Sequence, residues 1–157
     1  MSVLGYYGID TPSESSLIKI LGSTPDYGTV TENMRDYAIA HGLPAELKTD
    51  LTVDDLRTQL GKGQLAIVEV QAWPDGGKPA VPYEQDWIDG HDMVLDGIDS
   101  DNAYFTDPST AGSHAFIPLP EFESRWHDVE VNDKHWTHTA LFFNGMPNPP
   151  PSLIRVP

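Results

Sequence analysis

His91 and Asp107 form the pairing in this chain that acid–base or nucleophilic chemistry would use. His91 opens the run HDMVLDGI (residues 91–98), and Asp107 closes AYFTD (residues 103–107). The intervening DSDN has turn composition, so the two runs are predicted as a hairpin. Antiparallel pairing across that turn brings the first residue of one strand beside the last residue of the other. A carboxylate beside an imidazole fixes its tautomer and steadies its charged form, which is the orienting half of a nucleophilic triad. A structural histidine hydrogen-bonded to an Asp-Pro turn has the same residues at the same spacing, and the hairpin alone does not separate the two.

Two other groups invite a metal reading. Asp92, Asp96, Asp99 and Asp101 bring acids together, but Ala103 stands where a calcium loop wants a third ligand, and the turn glycine and closing glutamate are missing. A solvated hairpin turn fits them better. His127, His135 and His138 alternate with Trp126 and Trp136, yet residues three apart on a strand point to opposite faces. Without cysteines, a zinc site there would have to recruit a distant carboxylate. These histidines read as surface or rim residues, and no metal or other cofactor is expected. Trp73, Tyr83, Trp87, Trp126 and Trp136 read mostly as core and groove walls. Trp73 and Trp87 are the ones a peptide groove would use as substrate-binding residues.

The elements that must position these residues fall in two blocks. The first 61 residues read as helices joined by Gly/Pro turns: an apolar start closed by Gly8, a helix capped by Ser13, a third with Thr29 and Glu32 at capping-box spacing and Gly42 at its end, and a fourth from Thr52 to Gly61. Strand signals then take over: a buried run at 65–70, the hairpin, a short strand at 114–117, a helix from Pro120 and Glu121, and a last strand at 138–143. Helices first and antiparallel strands second define an α+β order. The tail MPNPPPSLIRVP is Pro-rich, so residues 144–157 are expected to form an extended or disordered arm on a domain of residues 1–143.

Composition narrows the partners. Nine Lys and Arg against 24 Asp and Glu leave a formal charge of −15 over 157 residues. Nucleic acid and anionic membrane surfaces both need clustered cations, so neither is an expected partner. No basic-then-apolar leader is visible, and no run approaches the ~20 residues of a membrane span. The cysteine count is zero, which removes disulfides, thiolate metal sites and any cysteine nucleophile within this chain.

Taken in order, several motifs resemble the bacteriocin-processing cysteine peptidases, family thirty-nine of the cysteine peptidases, which have a papain-like fold. The carriers are Val3-Leu4-Gly5-Tyr6-Tyr7-Gly8, Gly28-Thr29, Ala40-His41-Gly42, and the Leu-rich helix and Val/Ile strand from Leu56 to Val70. They continue with His91-Asp92-Met93-Val94-Leu95-Asp96-Gly97, Asp107-Pro108, and Glu121-Phe122 to Trp126. The resemblance implies a papain-like α+β fold, His91 and Asp107 as catalytic residues, and a peptide or protein substrate, in the family a double-glycine leader. Asp92 and Asp96 depart from it, since the family carries uncharged residues there.

The resemblance also places the family's nucleophilic Cys about six residues before Met1, less than two helical turns away. Ser2 lies past that position and does not replace it. A cysteine peptidase attacks with a thiolate, so the chain as written is expected not to cleave peptides. It reads as an incomplete or inactive copy. A degenerate domain that binds peptides without cutting them, and a structural or interaction module, are the alternatives.

Overall fold

The computed structural model describes residues 2–110 and 113–146. Most of the expected Pro-rich arm lies outside them. Three helices come first: α1 (Val3–Tyr6), α2 (Glu14–Leu21) and α3 (Thr31–Ala40). Ser2 and Ser13 cap the first two by accepting the Gly5 and Ser16 N–H groups. The Thr29/Glu32 box does not form. α3 starts one residue later, behind Val30, which offers no capping oxygen, and Glu130 Oε1 accepts the Thr31 N–H instead, at 2.8 Å. A tertiary acceptor has replaced the local one.

The block is not purely helical. Ala45–Lys48 forms a strand, β1, before α4 (Val53–Leu60). Four residues, AELK, carry no β-branched or aromatic signal, and the strand exists because it pairs with the far end of the chain. α4 has the complete capping box, Thr52 with Asp55. The remaining strands are β2 (Ala66–Gln71), β3 (Gly90–Ile98), β4 (Asn102–Thr106), β5 (Ala115–Pro118), β6 (His127–Glu130), β7 (Lys134–Thr137) and β8 (Ala140–Phe143). α5 (Leu119–Arg125) lies between β5 and β6. The β6–β7 ribbon carries His127 and His135, in a stretch with no expected strand.

One antiparallel sheet in the order β1-β8-β2-β3-β4-β5 organises the molecule. Its two faces follow from strand alternation. Ala140 and Phe142 of β8 join Val68, Leu95, Phe105, Phe122 and Trp126 in a core on the α4/α5 side. Leu141 and Phe143 join Tyr7, Ala38 and Leu43 under α1 and α3. With helices on both faces, β2 and β8 are almost wholly buried, and so read as unbroken apolar runs rather than alternating ones.

The Tyr6-Tyr7-Gly8 motif is an anchor for this layering. Tyr7 Oη donates to the Phe143 carbonyl and accepts the Leu65 N–H, both at 2.9 Å. Tyr6 Oη donates to the Gly63 carbonyl at 3.0 Å. Burial raises the Tyr7 pKa, keeping the phenol a donor. Among the described residues, no helix is long and apolar enough to cross a membrane.

Candidate functional site

β3 and β4 pair as the hairpin requires, with a bulge between Leu95 and Gly97. Asp107 follows β4 directly, and its carboxylate reaches back to the ring at the start of β3. His91 Nε2 lies 2.8 Å from Asp107 Oδ1. A carboxylate oxygen facing a ring nitrogen makes that nitrogen the N–H, so the neutral imidazole keeps its lone pair on Nδ1. The Asp107 side chain is fully buried, whereas that of His91 keeps 19% of its surface exposed. Asp107 Oδ1 also accepts the Ser109 N–H at 2.8 Å, and Oδ2 accepts the Trp73 indole N–H at 3.1 Å. Three donors hold the carboxylate in place, as a ring-orienting acid demands.

Trp73 therefore touches the pair itself. It follows β2 at the head of a loop with φ of +59°, a left-handed conformation that costs a non-glycine residue on the order of 1–3 kcal/mol. The neighbouring Gln71 braces it. This fully buried side chain accepts the Asp89 N–H at 2.9 Å and donates to the His127 carbonyl at 3.0 Å. The loop is thus pinned at both ends while the Trp73 ring stays 57% exposed. Beside it opens a groove of about 330 Å³ walled by Trp73, Asp107, Met93, Thr110, α5 and β5.

Trp87 is placed elsewhere. Its ring packs on those of His127 and His135, at 4.3 and 4.6 Å, and does not line this groove. His127 is buried, with Nε2 2.7 Å from the Asp86 carbonyl, and so is no rim residue. No three metal-ligating side chains converge among the described residues. The Asp99 carboxylate folds the hairpin turn: it accepts from the Tyr104 hydroxyl and the Asp101 and Asn102 N–H groups, which together lower its pKa.

One cluster escaped sequence reasoning. On the opposite face of β2 and β3, Glu69 and Asp92 are cross-strand partners, and Asp128 and Glu130 of β6 face them. Burial, then the Asp92 charge, pushes Glu69 up to about 9. Burial, then Asp128 and Glu130, pushes Asp92 to about 7. Asp128 rises too, chiefly by burial. Thr31 Oγ1 contacts both Glu69 Oε1 and Glu130 Oε1, the latter at 2.6 Å. A hydroxyl has one proton to donate, so the second contact needs a proton from a carboxyl group, in keeping with a neutral Glu69. The sequence signals were a glutamate inside the apolar run LAIVEV and the charge at Asp92.

The sequence matches no protein-family profile and no curated protein. Among solved structures, the fold is similar to one from Bacillus anthracis described as a C39-like peptidase, with a TM-score of 0.55 at 18% identity. The likeness covers 78% of this chain and 62% of that one. The chain thus has the α+β fold of a C39-like peptidase, in which a sheet flanked by helices presents the His91–Asp107 pair.

Proposed function

We propose that this chain carries the His and Asp of a papain-like cysteine peptidase domain, with His91 as the base and Asp107 as the residue that orients it. The observation that carries this reading is the 2.8 Å bond from His91 Nε2 to a carboxylate already held by the Trp73 and Ser109 N–H groups. It leaves Nδ1 as the nitrogen that would take a thiol proton, and the thiolate–imidazolium pair so formed is the attacking state in such peptidases. The chain has no cysteine, so the thiol that this pair would activate is not among its residues. The resemblance makes a double-glycine leader the first substrate to test.

The test is an N-terminal extension carrying a helix-compatible Cys about six residues before Met1, less than two helical turns away. The unextended chain is expected to leave leader peptides intact. The extended chain should cleave them and react with iodoacetamide near neutral pH. His91→Ala in that background should lower kcat/KM by about 10²-fold or more. A thiol that reacts like free cysteine with or without His91 would overturn the catalytic reading. Peptide affinity without turnover in the extended chain would instead favour a peptide-binding domain that has lost its activity.

A further inference from the structure

The groove beside Asp107 reaches from Met93 of β3 outward to the edge strand β5. Every residue of β5, Ala115 to Pro118, borders it. Side chains alternate between the two faces of a strand, so all four can border one groove only if it reaches the strand's open side. β5 closes the sheet order, with β4 as its one sheet neighbour among the described residues. The ladder phase is set by the 2.8 Å bond from the Leu119 N–H to the Asp101 carbonyl. Asn102 and Pro118 are therefore a non-hydrogen-bonded pair, and Ala103–Ile117 and Phe105–Ala115 are bonded pairs. The N–H and C=O of Phe116 then point away from β4, into the groove.

The sheet's two edges differ in protection. β1 carries Glu46 and Lys48, exposed and paired at 3.2 Å, the charged side chains that discourage strand pairing. β5 reads Ala-Phe-Ile-Pro, without a charge. Two aromatic rings flank this uncharged edge, Trp73 57% and Phe116 61% exposed. Large apolar side chains left exposed at a strand edge that is unpaired among the described residues mark an interaction surface.

We propose that an extended polypeptide segment binds by adding a strand to the open edge of β5. Its main chain pairs with Phe116, and an apolar side chain enters the groove between Trp73 and Ile117. The ligand class rests on the peptidase-like reading: the added strand shares Trp73 and Asp107 with the candidate site, so it would lead a substrate chain past His91. Such a ligand is unfolded, rich in alternating apolar residues, and neutral or basic, because the chain's charge of −15 disfavours acidic segments.

The test uses the whole chain and the acetylated, amidated peptide KTVTVTK. Binding, followed by titration calorimetry, should slow hydrogen exchange at the Phe116 amide. Phe116→Pro removes the outward N–H without touching the β4 ladder, as proline at a sheet edge can. It should weaken binding about tenfold or more, whereas Phe116→Ala, which keeps the N–H, should weaken it about threefold or less. N-methylating two consecutive central amides of the peptide blocks both its edges and should abolish binding to the wild-type chain, whatever the Phe116 variants do to folding. Equal binding by Phe116→Pro and wild type, bound peptide with an unprotected Phe116 amide, tight binding of the methylated peptide, or no binding at millimolar peptide would each overturn the proposal. The two readings fail separately. Strand pairing in a cysteine-extended chain that never cleaves leaves only the edge standing, and cleavage with an unchanged kcat/KM in Phe116→Pro leaves only the His–Asp pair.

Discussion

At the scale of single residues, Asp107 is a fully buried side chain with three partners to lose. Its carboxylate meets the His91 ring, the Ser109 N–H and the Trp73 indole while fully buried. Replacing it with alanine strands those donors, and a buried donor without an acceptor costs about 1–3 kcal/mol. Asp107→Ala is therefore expected to lower stability by about 2 kcal/mol or more in urea unfolding. The Trp73 ring should move further into water, red-shifting its emission. A change within about 0.5 kcal/mol, the range for surface substitutions, would show that the carboxylate is not a buried hub. The strain at Trp73 belongs to the same account. A left-handed tryptophan persists because Gln71 on one side and Asp107 on the other fix its backbone and ring.

Among the elements, the β6–β7 ribbon is held to the sheet by close approach as well as by hydrogen bonds. Gly90, the first residue of β3, lies against the Asp128 carboxylate, and a Cβ at that position would overlap both of its oxygens. Asp128 cannot simply swing away, since it accepts the Val129 N–H at 2.7 Å and the Gln71 amide at 3.2 Å. Gly90→Ala must push β6 from the end of β3 or expel the carboxylate. Overpacking of this kind costs about 1–3 kcal/mol. The expected readout is a lowered melting temperature, with faster hydrogen exchange in β6 and β7 and little change in β1. Uniform exchange across the sheet, or unchanged stability, would contradict that contact.

For the molecule as a whole, the buried acids set the pH dependence of folding. Glu69 and Asp92 have folded-state values raised to about 9 and about 7, each well above its value in an unfolded chain. A raised folded value means that the native state binds the proton more tightly. The stabilisation is complete below the unfolded value and is lost as pH climbs through the folded one. Stability should thus decline from about pH 5 to about pH 9. On the acid side, Asp55 and Asp99 are held low by the Thr52 and Tyr104 hydroxyls, so their contribution disappears as pH falls through their folded values. Glu69→Gln keeps the shape and a donor toward Thr31 without a titratable proton. It should flatten the alkaline decline and raise stability at pH 8 by on the order of 1–2 kcal/mol, about 2–8 °C in Tm. A variant whose stability falls between pH 5 and 9 as steeply as wild type would remove Glu69 as the cause.

The sequence by itself determined the elements whose signals are local. The apolar run of β2, the Asp99–Asn102 turn of the hairpin and the Thr52–Asp55 cap are each written within a few residues, because turn chemistry and side-chain periodicity act over that range. The hairpin brought His91 and Asp107 to the same end of one strand pair, but the register shift at the Leu95/Gly97 bulge, which the turn length does not dictate, put them on one face. Tertiary structure alone decided the rest. β1 is a strand only because β8 offers it a partner, α3 starts at Thr31 only because Glu130 receives its N–H, and Trp73 belongs to the pair only because its loop folds back over Asp107. Glu69, Asp92 and the Asp128/Glu130 pair come from three separate strands and meet on one face of the sheet. The raised proton affinities of Glu69, Asp92 and Asp128 come first from burial and then from neighbouring carboxylates, quantities that exist only once the sheet and its helices have closed around them.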